Sequence, residues 1–137
     1  FGAWAWTDDA AFQPGPVMRE ERFSCAAVAA GGRVVVFGGY SKGYRPFNTT
    51  EVLDAQTMAW TAGPNLLTRR YGCAAFQIDA DRVLVVGGYD GNQDLNTTEI
   101  FHLPTLTVSH GPNLISGRRV CTAVALDARR ILVVGGC

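Results

Sequence analysis

The sequence carries no net charge, only two histidines and no long apolar run. Twelve lysines and arginines balance twelve aspartates and glutamates, so there is no bulk electrostatic footprint for nucleic acid or an acidic membrane surface. Its apolar runs are a handful of residues long, far short of the roughly 20 that a membrane-crossing helix needs. No signal peptide is visible, and no membrane insertion is expected. His102 and His110 stand without a recurring pair of carboxylates, so no catalytic residue is expected and the chain does not read as an enzyme. None of the four cysteines belongs to a Cys-x-x-Cys pair or has a histidine close by. That leaves no ligand set for a metal, and no cofactor is expected. Free thiols suit a reducing compartment, which points to the cytoplasm. There is also no initiator methionine, and Phe1 falls in mid-pattern, as in a processed or partial chain.

What is present is repetition. The phrase Arg82-Val83-Leu84-Val85-Val86-Gly87-Gly88-Tyr89 also occurs as Arg33-Val34-Val35-Val36-Phe37-Gly38-Gly39-Tyr40. It returns a third time as Arg130-Ile131-Leu132-Val133-Val134-Gly135-Gly136. Four large apolar residues closed by a glycine pair are too short for a helix and read as a strand buried on both faces. The glycines supply backbone freedom and room beside the sheet for a large neighbour. Arg22, Arg70 and Arg118 keep a step of 48 residues, as do Cys25, Cys73 and Cys121. Gly15-Pro16, Gly63-Pro64 and Gly111-Pro112 keep it too, and Asn48-Thr49-Thr50-Glu51 recurs as Asn96-Thr97-Thr98-Glu99. Only the glycine pairs slip, by 49 and then 48, and the slips fall in the links.

The repeat predicts an all-β chain of four-stranded antiparallel units: a half unit at 1–14, whole units at 15–62 and 63–110, and a half unit at 111–137. In the first whole unit, 15–18 reads as a turn and strands are expected at 22–30, 33–39, 49–54 and 58–61. The second unit repeats them at 70–78, 82–88, 97–103 and 106–109. Val34, Val36, Val83, Val85, Leu132 and Val134 should be buried. So should Cys25, Cys73 and Cys121, read as small apolar residues at a crowded position. Units of this size and strand count are the plan of a β-propeller blade.

These residues resemble the kelch repeat: four apolar residues, a glycine pair, an aromatic, and a tryptophan about twenty residues on. The first unit has Val34 to Phe37, Gly38-Gly39, Tyr40 and Trp60, whereas the second places Val108 where tryptophan is expected. The resemblance implies blades whose innermost strand lines a central channel, in a ring of roughly five to seven. Two whole blades and two halves form a partial propeller, so the resemblance implies a ring completed by further blades of a longer chain or by another chain. The trailing half, which supplies the first strands of a blade, and the leading half, which supplies the last, are expected to be able to pair across two copies.

The resemblance also implies a binding face. Arg22, Arg70 and Arg118 open the innermost strands at the channel mouth, where arginines of similar kelch proteins grip acidic peptides. An arginine fork holds a carboxylate through two hydrogen bonds. The alternative is that these arginines pair with buried Glu51 and Glu99 and stitch neighbouring blades together. The adjoining loops add Tyr44, Arg45, Arg69, Tyr89, Asn92 and Arg119, and Asp79, Asp81 and Asp127 fall in turns at the opposite end of the blades. The expected function is a noncatalytic protein-protein interaction module whose protein partner offers an acidic segment. A scaffold subunit of a larger assembly, or a piece of an enzyme whose catalytic residues lie elsewhere, are the alternatives. Both Asn-Thr-Thr sequences fit a glycosylation acceptor, but Asn and Thr bonding the backbone as a strand begins explains their recurrence equally. Asp90-Gly91-Asn92 reads as a turn with too few carboxylates for calcium. The Tyr, His and Cys ligands of kelch-like copper oxidases are not offered.

Overall fold

The computed structural model describes residues 2–7 and 11–137. Phe1 and residues 8–10, part of the expected leading half unit, lie outside the described residues. The described residues form strands, turns and loops, with no helix among them. A two-stranded sheet pairs β1 (Gly2–Thr7) with β2 (Ala11–Val17). The first four-stranded sheet runs β3 (Ala26–Ala30), β4 (Arg33–Phe37), β5 (Thr50–Asp54) and β6 (Ala59–Ala62) in sequence order. The second repeats it with β7 (Ala74–Gln77), β8 (Arg82–Val86), β9 (Thr98–His102) and β10 (Thr107–His110). A last pair joins β11 (Cys121–Ala125) to β12 (Ile131–Gly135). All pairings are antiparallel, as short links between sequence neighbours require. This is the all-β plan of four-stranded antiparallel units that the repeat predicts.

Register follows the repeat in the two whole blades. Val36 lies opposite Glu51 as Val85 lies opposite Glu99. The leading hairpin departs from it. Its second strand continues to Val17 through the expected turn at 15–18. Its prolines, 14 and 16, lack a donor, which does no harm in the outer strand of a two-stranded sheet.

The blades touch along one repeated seam. β7 packs between β3 and β11, so the strands that open each blade stand side by side. Gly39 N–H donates to the Arg70 carbonyl at 2.9 Å, and Gly88 N–H to the Arg118 carbonyl at 2.8 Å. A Cβ on Gly38 would run into that Arg70 carbonyl, and one on Gly87 into that of Arg118. The glycine pair therefore makes room for backbone of the next blade, where the sequence pointed to a large neighbour in general. A second ladder links Gly72 N–H to the Ser24 carbonyl at 2.8 Å and Val120 N–H to the Gly72 carbonyl at 2.7 Å. Outside these lines Phe37 meets Phe101 edge-on at 5.3 Å, and Arg33 donates to the Leu103 carbonyl at 2.9 Å.

Burial is deepest where both neighbours are present. Val35, Phe37, Val83, Val85, Val86 and Phe101 are fully enclosed. Of the residues expected in the core, Val36, Val83, Val85 and Cys73 are buried, whereas Val34, Cys25 and Cys121 are half-buried. Leu132 and Val134 correct the expectation outright, at 44% and 45% exposed. They share one face of β12; the matching pair in the first blade, Val35 and Phe37, packs against Val83, Val85 and Phe101 of the next sheet, and among the described residues no further sheet covers β12. Composition places these residues in a core; only a packed neighbouring sheet encloses them.

Candidate protein-interaction surface

Each whole blade turns its Asn-Thr-Thr-Glu segment into a clamp. The second threonine, Thr50 or Thr98, donates its hydroxyl to the carbonyl of Pro64 or Pro112 at 2.7 Å. The first accepts from the arginine that opens the blade. Arg70 Nη1 donates to the carbonyls of Gly87 at 2.6 Å and Thr97 at 3.2 Å. Its Nη2 donates to Thr97 Oγ1 at 3.3 Å and to Glu99 Oε1 at 2.6 Å. Glu99 in turn accepts from the amides of Leu67 and Thr68, in the link arriving from the preceding blade. The recurrence of Asn-Thr-Thr-Glu is thereby accounted for by bonds inside the fold.

Arg22 repeats this geometry with one change. Its Nη1 reaches the carbonyls of Gly38 at 2.8 Å and Thr49 at 3.0 Å, but its Nη2 takes Glu20 Oε2 at 2.9 Å. Glu51 Oε2 is left 3.9 Å from Arg22 Nε, beyond hydrogen-bond reach. Position 20 is threonine in the next unit, at Thr68, so Arg70 meets no such competitor.

The nine residues expected at the mouth thus separate into three groups. Arg22 and Arg70 are buried with their forks committed to their own blades. That placement keeps both guanidinium groups away from a ligand at the surface. Arg118 is half-buried, donating to the Gly135 carbonyl at 3.0 Å and to Ser116 Oγ at 3.3 Å. Tyr89 and Arg119 belong to a row of aromatic contacts. Phe23, Tyr40, Tyr71 and Tyr89 follow one another at centroid distances of 5.5, 4.8 and 5.5 Å. The Arg119 guanidinium caps the row 4.4 Å from the centre of the Tyr89 ring, and its Nε lies 3.2 Å from Asp94.

The other four come together. Tyr44, Arg45, Arg69 and Asn92 line a groove of about 550 Å³, with Pro46 and Asp90 between them. All four are exposed. Among the described residues neither Arg45 nor Arg69 forms an ion pair.

Two loops build this groove. In residues 40–48, Ser41 N–H donates to the Arg45 carbonyl and Tyr44 N–H to the Ser41 carbonyl, closing a tight bend. Gly43 (φ 97°) and Tyr44 (φ 56°) make the bend with left-handed backbone, and the Tyr44 ring stacks on Tyr40 at 5.2 Å. In residues 89–96, Asp90 Oδ1 accepts from the amides of Asn92 at 2.7 Å and Gln93 at 2.9 Å, the turn that aspartate favours. Burial pushes the Asp90 carboxyl up, but those two amides and the Arg69 charge outweigh it and hold it below its ordinary value. The groove therefore carries two cations against one committed carboxylate.

Pro46, Asp90 and the ring row of Phe23, Tyr40 and Tyr71 were not placed at the binding face from the sequence, where Asp90 reads only as part of a turn and Tyr40 as the aromatic after a glycine pair. Phe23 and Tyr71 share the 48-residue step, and Tyr40 follows a glycine pair, so the periodicity held the signal. Among the described residues no group of three or more His, Cys, Asp or Glu side chains is placed to hold a metal ion. A family model described as Kelch motif matches residues 21–67 and 69–115, more than half of the chain. No curated protein matches it.

Proposed function

This chain belongs to the kelch-repeat family, and from that premise we propose that its groove binds an acidic segment of a protein partner. Kelch repeats commonly serve as protein-interaction or scaffold modules and are generally noncatalytic. The observation that supports the finer reading is the pair Arg45 and Arg69, exposed beside one groove and forming no ion pair among the described residues. Arg22 and Arg70 stand below as supports of the blades.

In this reading the carboxylates of the segment meet Arg45 and Arg69, whose planar forks suit them. Asn92 offers an amide and Tyr44 a hydroxyl beside a broad ring, a combination common among residues that dominate interfaces. Asp90 selects against a second carboxylate at the floor.

The test uses an acidic peptide rich in Asp and Glu, with its Asn and Gln counterpart as control. The parent chain should bind the acidic peptide more tightly, and less so as salt rises, since exposed charges are screened. Arg45→Ala and Arg69→Ala should each weaken binding by about 1–3 kcal/mol, with an unchanged thermal melt because both side chains lie outside the core. Equal binding of both peptides, or full affinity in the double variant, would remove the proposal.

A further inference from the structure

We propose that a second pocket, where the chain enters the first whole blade, takes the ammonium group of an alkylamine, and that its arrival on Glu20 hands the Arg22 fork over to Glu51. The site is independent of the groove. Its cavity of about 290 Å³ is lined by Glu20, Arg22, Thr49, Thr50, Glu51 and Ala62, together with the exposed Arg19.

The second blade shows the satisfied form of the same corner. Glu99 gives Oε1 to the Thr68 amide and to Arg70 Nη2, and Oε2 to the Leu67 amide. Glu51 keeps only the first of these bonds. Its Oε1 accepts from the Glu20 amide at 3.0 Å, the distance at which Glu99 accepts from Thr68. The chain therefore enters both blades in the same register. Thr50 and Glu51, each 2% exposed, are as deeply buried as Thr98 and Glu99 at 2% and 1%. What differs is the side chain at position 20. Glu20 Oε2 takes Arg22 Nη2 at 2.9 Å and the Thr49 hydroxyl at 3.1 Å. Glu51 Oε2 is left enclosed with no hydrogen-bond partner.

Charges in this corner do not cancel. Glu20, Glu21 and Glu51 stand against Arg19 and Arg22, one carboxylate in excess, whereas residues 67–70 contain no acid. Among the described residues neither Arg19 nor Glu21 forms an ion pair. A buried carboxylate oxygen without a partner is costly, and an incoming anion would add to the excess. A cation removes it. Glu20 is the accessible carboxylate, its side chain 48% exposed against 3% for Glu51, so the ammonium pairs with Glu20. Arg22 Nη2 can then leave Glu20 for Glu51, whose Oε2 already lies 3.9 Å from Arg22 Nε. The result is the pairing that Arg70 and Glu99 already show. Solvent screens the repulsion from exposed Arg19. The threonine and alanine walls suit an alkyl stem, as a lysine side chain of a protein partner or a free alkylamine would bring.

The test titrates the chain with N-acetyl-lysine methylamide, its ε-acetylated form and n-butylamine, followed by NMR. Both amines should shift the amides of residues 19–22 and 49–51 in a saturable way, less so as salt rises, and the acetylated form should not. Tighter binding of the lysine compound assigns the site to a partner's side chain; tighter binding of n-butylamine assigns it to a free amine. Glu20→Thr should weaken both about tenfold or more. Without ligand, the Arg22 guanidinium signals of that variant should already lie where the loaded parent puts them. This readout separates transfer of the fork from a simple surface ion pair. A chain carrying Arg45→Ala and Arg69→Ala should bind both amines as the parent does. No saturable shift with either amine, equal binding of the acetylated form, or full affinity in Glu20→Thr would each overturn the proposal. So would unmoved Arg22 signals, or loss of binding in the groove variant.

Discussion

Arg70 spends its guanidinium on four acceptors inside one blade, and Glu99 is held from the other side by two backbone amides. Removing one partner of such a buried pair costs about 3–5 kcal/mol, because the charge left behind is desolvated and unpaired. Arg70→Ala should approach that loss. Arg22→Ala should cost less, since the Arg22 fork takes the half-exposed Glu20 and leaves Glu51 3.9 Å from its Nε. Arg118→Ala should cost within about 1 kcal/mol, as expected of an arginine with no buried partner charge. Urea melts of the three variants would rank them, and three equal losses would show that the fork geometry does not govern stability. The 48-residue step of these arginines is plain in the sequence. What they bind is not, because a periodic arginine serves a ligand or a strut equally well until the third strand is in place. Position 20 illustrates this: glutamate there and threonine at 68 look like surface variation, yet the difference redirects the Arg22 fork.

At the scale of the strand, the glycine pair joins one blade to the next. Gly87 has φ 61° and a Cβ there would strike the Arg118 carbonyl, whereas Gly135 has φ 73° and a Cβ would meet nothing within 4 Å. Both positions carry the same backbone penalty, of about 1–2 kcal/mol for a non-glycine residue in left-handed conformation. Gly87→Ala should exceed Gly135→Ala by the cost of moving the Arg118 carbonyl and its bond to Gly88. A difference of about 1 kcal/mol or more in chemical denaturation is expected, on the scale of one backbone hydrogen bond. Indistinguishable variants would place the function of the pair in turn geometry alone. Strand number, order and most strand centres were legible from the apolar runs and turn residues. The ends were less so. β2 continues past the expected turn because an outer strand tolerates proline, and β6 begins only at Ala59 because Met58 adopts φ 56°.

Over the whole molecule, burial declines from the middle blade outward, and three equivalent cysteines record the decline. Cys73, with blades on both sides, is buried; Cys25 and Cys121 are half-buried; Cys137 is exposed. Burial pushes the Cys73 thiol up from 9.0 to about 12, against the Arg70 charge that favours the thiolate, and raises Cys25 and Cys121 as well. The thiolate is the reactive form. Alkylation at neutral pH should therefore label Cys137 first, Cys25 and Cys121 next, and Cys73 last, at a rate set by opening of the blades. Linkage fixes the sign at high pH. Between 9.0 and about 12 the folded chain keeps the Cys73 proton while the unfolded chain releases it, so stability present below this window falls as pH rises through it. Cys73→Ala should flatten that alkaline loss when urea midpoints are compared at neutral and high pH, even if the variant starts out less stable. Early labelling of Cys73, resolved by mass spectrometry of digested samples, would mean that the middle blade opens as readily as the ends. The decline in burial was not legible in the sequence, because Cys25, Cys73 and Cys121 occupy the same place in their repeats and differ only in how many neighbouring blades enclose them.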